Sequence, residues 1–92
     1  MRFGCTEIPG SLFKIARDRM RSDATFTPED IRRHLVDRAS DVLHGISPIT
    51  VNHRIIADRV MRDCVKQLVS SGEIAQLKRG VWAKTTFLAA AD

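Results

Sequence analysis

Three cations, Arg59, Arg62 and Lys66, stand at i, i+3 and i+7, a spacing that aligns them on one side of a helix. Arg54 lies just ahead of them, Gln67 beside them, and Lys78-Arg79 a short distance beyond. Arginine offers a planar fork of donors, whereas lysine acts as a compact point charge. Such a set suits recognition of a polyanion. Its placement agrees with the distribution of charge. The net charge is +4, but residues 1–53 hold eight basic and seven acidic side chains. Residues 54–84 hold seven basic against three acidic, so the surplus is confined to one third of the chain. A localised excess suggests a polyanion surface more strongly than a diffuse one. A solvated helix face is the competing reading. Asp58 and Arg62, and Arg59 and Asp63, lie four apart, where ion pairs stabilise exposed helices by tenths of a kcal/mol.

Other chemistry is poorly represented. His34, His44 and His53 with Cys64 match no zinc spacing, and Cys64 falls on an apolar helix face, where a packed thiol is expected. No trio of nucleophile, base and orienting group is discernible, and the five glycines form no phosphate loop. The sequence therefore predicts no enzyme, metal, cofactor or small-molecule ligand. Trp82 could stack on a base, but a hairpin tryptophan is expected to cover the core. Cys5 and Cys64 make no disulfide framework. No apolar run approaches membrane-spanning length, and Met1 to Ile8 lack the apolar core of a secretory signal. The expectation is a reduced, cytoplasmic chain with no membrane partner.

The elements that must position these residues can be read in turn. With 92 residues, 43% of them hydrophobic, the chain has the length and composition of one domain, with its core within 12–84 and a tail at 85–92. Pro9-Gly10-Ser11 marks a helix start, with Ser11 as the cap and a first helix over about 12–21. Thr25-Phe26-Thr27 suits a brief strand. Thr27-Pro28-Glu29-Asp30 opens a second helix. Threonine caps it, proline takes the first position, and two acids meet the positive end of the dipole. That helix is expected to run to about His44 and end at Gly45. The N–H groups of its first turn could hold a phosphate, although Glu29 and Asp30 would oppose one.

Residues 46–56 are ambiguous. Ser47-Pro48 marks a turn or a new helix start, and Ile49, Val51, His53 and Ile55 alternate with polar residues as in a strand. A helix starting near Asn52 is the competing reading. From Ala57, the residues Val60, Met61, Cys64, Val65, Leu68 and Val69 share one face at about 100° per residue, which predicts a third helix over about 57–71. Ile55 and Ile56 would lie on its polar side. Either the helix therefore begins near Ala57, or a longer helix packs against another element at its front. Residues 74–84 read as a hairpin turning at Lys78-Arg79-Gly80, with Gly80 free to adopt positive φ.

The order helix, strand, helix, connection, helix, hairpin resembles the winged helix-turn-helix superfamily of bacterial and phage DNA-binding proteins. The resemblance covers about residues 12–84. Phe26-Thr27-Pro28-Glu29-Asp30-Ile31 and the run from Arg59 to Ile74 carry it, and Leu77 to Trp82 look like the wing. It implies a mainly α, α+β winged helix with three helices, a short strand and a C-terminal hairpin. It departs from the pattern in the connection from His44 to Ala57, about a dozen residues where three or four are usual. The implied function is a small sequence-specific double-stranded DNA-binding protein, a transcriptional regulator of phage or mobile-element type. The recognition helix would enter the major groove, where Arg59 and Arg62 can read guanine and Gln67 adenine. Lys66 and Arg54 would add charge, and Lys78 and Arg79 would touch phosphates or the minor groove. A homodimer formed through helix one or Phe87-Leu88-Ala89 would suit paired half-sites. The alternative is a winged-helix module whose basic face meets an acidic protein partner.

Overall fold

The structure, a computed structural model, describes residues 2–3 and 6–86. A two-residue hairpin, β1 (Arg2–Phe3) with β2 (Thr6–Glu7), precedes α1 (Gly10–Ser22). Then come β3 (Thr25–Phe26), α2 (Pro28–Arg38), α3 (Ser40–Ile46), α4 (Thr50–Ser70), β4 (Ile74–Lys78) and β5 (Val81–Lys84). The domain is mainly helical α+β. The hairpin β4–β5 takes up β3 as a third strand in the order β3-β5-β4, all antiparallel. This arrangement is compatible with a winged helix. Cys5 and the proposed contact at Phe87-Leu88-Ala89 lie outside the described residues.

Helix α1 buries Leu12, Ala16 and Met20, the face expected from their spacing. Ser11 is not its cap. The helix begins two residues earlier than expected, at Gly10, after extended Pro9, and no side chain caps it. The Leu12 N–H instead donates to the Pro9 carbonyl at 3.2 Å. The start of α2 follows the sequence closely. Thr27 Oγ1 accepts from the Asp30 N–H at 3.2 Å, and Asp30 Oδ2 accepts from the Thr27 N–H at 3.1 Å. Two donors that the helix cannot satisfy internally are thereby paired.

The expected second helix is two helices. Ala39, with ψ of 26°, leaves helical geometry and turns the chain between α2 and α3. The bend brings buried Ala39 and Leu43 into the same core as Leu35. Gly45 consequently lies within α3 rather than ending a helix. The strand-like reading of Ile46 to Ile56 is also corrected, because α4 already begins at Thr50. Alternation misleads here because the side chains serve different surroundings. His53 is buried and its Nε2 lies 2.7 Å from the Ser47 carbonyl, whereas Val51 and Ile55 face solvent. Helix α3 packs on α4, and Ile56, expected on the polar side, is buried in the core. The ambiguous connection is thus a helix and a short turn. Within that turn, Ser47 Oγ accepts from the Ile49 N–H and the Asn52 amide.

The core is assembled around α4. Helices α1 and α2 pack on its inner face, where Ile56, Val60 and Cys64 are wholly buried. The Cys64 S–H donates to the Phe13 carbonyl, and burial raises its pKa to about 11, so the thiol is uncharged at neutral pH. Gly72, at φ 80°, turns the chain out of α4 into β4. Arg21 grips Glu73 through two bonds of 3.1 and 3.2 Å, joining α1 to the root of the hairpin. Phe26 is buried in the core, and its β5 neighbour Trp82 packs partly buried against it.

The Thr27 box gives a stability prediction. Thr27→Ala should cost about 1 kcal/mol, read as a lower chemical-denaturation midpoint at unchanged slope, since the Asp30 N–H loses its acceptor.

Candidate nucleic-acid interface

The buried face of α4 determines what its other face presents. Opposite Val60 and Cys64, exposed Arg59, Arg62 and Lys66 share an outward stripe, as their spacing predicts. The Arg62 side chain is 75% exposed and its Nε lies 2.9 Å from Asp58 Oδ2, one turn earlier. Lys66 forms no ion pair among the described residues. Gln67 stands apart from the stripe. Its carbonyl accepts from Arg17 of α1 at 3.3 Å and its amide donates to Asp63 at 2.9 Å, so both ends are engaged on the α1 side. Arg54, at the front of α4, is exposed, with Nη2 3.6 Å from Glu29 Oε1.

Carboxylates border the stripe on its α2 side. Arg32 bridges the two helices, donating to Glu29 Oε2 at 2.9 Å and to Asp58 Oδ1 at 2.8 Å. The Arg32 hydrogen bond, above all, holds the Glu29 carboxyl below its ordinary pKa of 4.5, with Arg54 and Arg33 adding smaller attractions. The same contact to Glu29 is the main cause that raises Arg32. Because Glu29 titrates lower in the fold than in the unfolded chain, its contribution is present above pH 4.5 and is lost as pH falls through the lower folded value. At neutral pH the α2–α4 tie is intact. The first turn of α2 is occupied by the chain's own acids, which leaves it poorly suited to a phosphate.

The sheet meets the stripe on this same α2 side. Pro28 and Arg32 of α2, Met61, Arg62 and Val65 of α4, and Trp82 of β5 line one shallow cleft. Arg62 of the stripe and Trp82 of β5 therefore look onto the same space. From Trp82 the strand climbs to the tip, where Lys78 and Arg79 are exposed without an ion pair among the described residues and Gly80 takes φ 76°. An irregular register between Gln76 and Lys78 bends β4 just before that tip. The structure thus brings Arg59, Arg62 and Lys66 onto one outward side of α4, sets Trp82 of the hairpin beside Arg62, and places Arg54 at the far end of the same helix.

The histidines and Cys64 are not gathered. His44 and His53 meet edge to face, with ring centroids 6.2 Å apart, while His34 is on α2 and Cys64 in the core. Among the described residues, no three histidine, cysteine or carboxylate side chains are placed to hold a metal ion. No described helix is long and apolar enough to cross a membrane. Val69, expected on the apolar face of α4, lies at its edge and is 43% exposed. Sequence reasoning put Ile55 on the polar side of the helix but missed the exposure of Val51 and, just ahead of α4, of Ile49. Their signal was present, because a helix starting at Thr50 carries the line of Arg62 back through Ile55 to Val51. Comparison with protein-family models, curated proteins and solved structures found no match.

The two kinds of arginine separate by mutation. Arg32→Ala should cost about 1–2 kcal/mol in a denaturant melt, because it removes a largely shielded bridge between α2 and α4. Arg62→Ala, on a solvated pair, should change stability by less than about 0.5 kcal/mol.

Proposed function

We propose that this chain is a small sequence-specific double-stranded DNA-binding protein acting as a transcriptional regulator. Helix α4 enters the major groove, and the β4–β5 tip rests on phosphates or the minor groove. The observation that carries this reading is the outward row of Arg59, Arg62 and Lys66, with Trp82 of the hairpin beside Arg62. The major groove accepts an α-helix, and its guanine edges present O6 and N7 to an arginine fork. The tip cations then reach backbone charge, which supplies affinity without sequence information. The order of the strands and the domain's compatibility with a winged helix support the same docking.

Arg62 suits base reading better than Arg32 does. Its side chain is exposed, and among the described residues its one ion pair is with Asp58, which Arg32 also holds. When Arg62 turns to a base, Asp58 keeps a partner, so the exchange leaves no unpaired carboxylate on the stripe. Gln67, held by Arg17 and Asp63, must release one of those bonds before it could read adenine. A second reading, an interaction module for an acidic protein, draws on the fact that Arg54 and Arg62 already accept carboxylate partners.

Duplex binding should weaken with added salt in proportion to the phosphates neutralised. Lys78→Ala and Arg79→Ala should each reduce the slope of log affinity against log salt by about one. On the preferred site, which selection from random duplexes will identify, Arg62→Ala should cost about 1–3 kcal/mol and relax discrimination at one base pair. Absence of duplex binding at low salt would remove the DNA reading in favour of the acidic partner.

A further inference from the structure

The front of α4 carries a feature that a cationic stripe alone does not explain. Ile49, Val51 and Ile55 are 57%, 63% and 43% exposed. Val51 and Ile55 lie four apart, one above the other, and at about 100° per residue their line continues into Arg62 and Lys66. The outer face is therefore apolar at its front and cationic behind. A helix that packed only by its inner face would keep its solvent side polar throughout.

We infer that Val51 and Ile55 read thymine methyl groups in the major groove. The inference rests on the duplex reading above and specifies what that surface selects. The thymine C5-methyl is an apolar feature of a base edge, and apolar side chains are its natural contacts. The polar groups nearby are otherwise engaged. Asn52 donates its amide to Ser47 at 3.1 Å, Arg54 leans toward Glu29, and Asp58 is shared by Arg32 and Arg62. Only the two apolar side chains remain on the outer line ahead of Asp58.

Helical geometry gives the spacing. Seven residues separate Ile55 from Arg62, an axial distance of about 10 Å, or about three base pairs. Four residues separate Val51 from Ile55, about 6 Å or about two base pairs. The preferred site should thus place thymine about three base pairs from the guanine read by Arg62, with a second thymine about two further on. A second copy of the chain is the weaker occupant. Three side chains fall far short of the about 800 Å² per partner of a stable interface, and a two-fold pairing would bring like-charged stripes together.

The test uses the duplex selected from a random pool, with each thymine replaced in turn by deoxyuridine. That change removes the methyl group and leaves base pairing intact. Loss of about fourfold in affinity at one or two positions near the expected spacing supports the inference, matching about 0.8 kcal/mol for a buried methyl. In Val51→Ala/Ile55→Ala, thymine and uracil duplexes should then bind alike, while the melting temperature stays near that of the parent because both side chains are exposed. Undiminished binding of every uracil duplex, with site-specific binding intact, overturns the methyl contact and leaves the duplex reading standing. Failure to bind any duplex at low salt overturns both. A concentration-dependent dimer of the free protein that Val51→Ser makes monomeric would assign the patch to self-association and overturn the inference.

Discussion

Ile56, Val60, Cys64 and Leu68 turn one side of α4 into the core, and the helical repeat then forces the opposite side, with Arg59, Arg62 and Lys66, outward. Transfer of that inner face from water is worth roughly 1.5–3 kcal/mol for each large aliphatic side chain. No comparable term acts on the outer face. Rotating α4 to bury Val51 or Ile55 would drive Arg62 or Lys66 toward the interior, where an unpaired charge is costly. The orientation of the cationic row is therefore a consequence of core packing. The flanking elements reinforce it: α1 and α2 fix the inner side, α3 also packs on α4, and the sheet joins the core through Phe26 and Trp82.

Charge on this surface is divided between structural and available groups. Arg32 is mostly shielded and bridges Glu29 to Asp58, so it belongs to the contact between α2 and α4. Arg62, Lys66, Lys78 and Arg79 lie where a ligand can reach them. Attraction between exposed partners is weak and screened by salt, so Asp58 offers Arg62 little that a guanine edge or a phosphate could not replace. A shared carboxylate also orients the Arg62 side chain before any ligand arrives. The apolar front of α4 adds a different kind of selectivity, since shape and methyl contact do not depend on ionic strength.

Much of this architecture was legible in local signals. Thr27-Pro28 with Asp30 specified the start of α2 because the capping groups are neighbours in sequence, and Gly80 between two short runs gave the hairpin. The pairing of β3 with β5 is a long-range choice that no local signal states. Two boundaries failed for physical reasons. Ala39 bends the chain without glycine or proline, so the break between α2 and α3 had no marker. At the front of α4, apolar residues face solvent, and a pattern that equates apolar with buried assigns them to a strand. The stripe itself was readable, but its ion pairs with Asp58 and Glu29, and the tie of Gln67 to Arg17, depend on residues brought together only by folding.

Duplex binding as proposed requires the outer side of α4 and the hairpin tip to act as one contiguous surface. Amide chemical-shift mapping during titration with duplex DNA at low salt tests it most directly. The account predicts that the largest changes fall on residues 51–66 and 78–80, with α1 nearly silent. Changes concentrated on α1, or on the Arg21–Glu73 side of the domain, would contradict it.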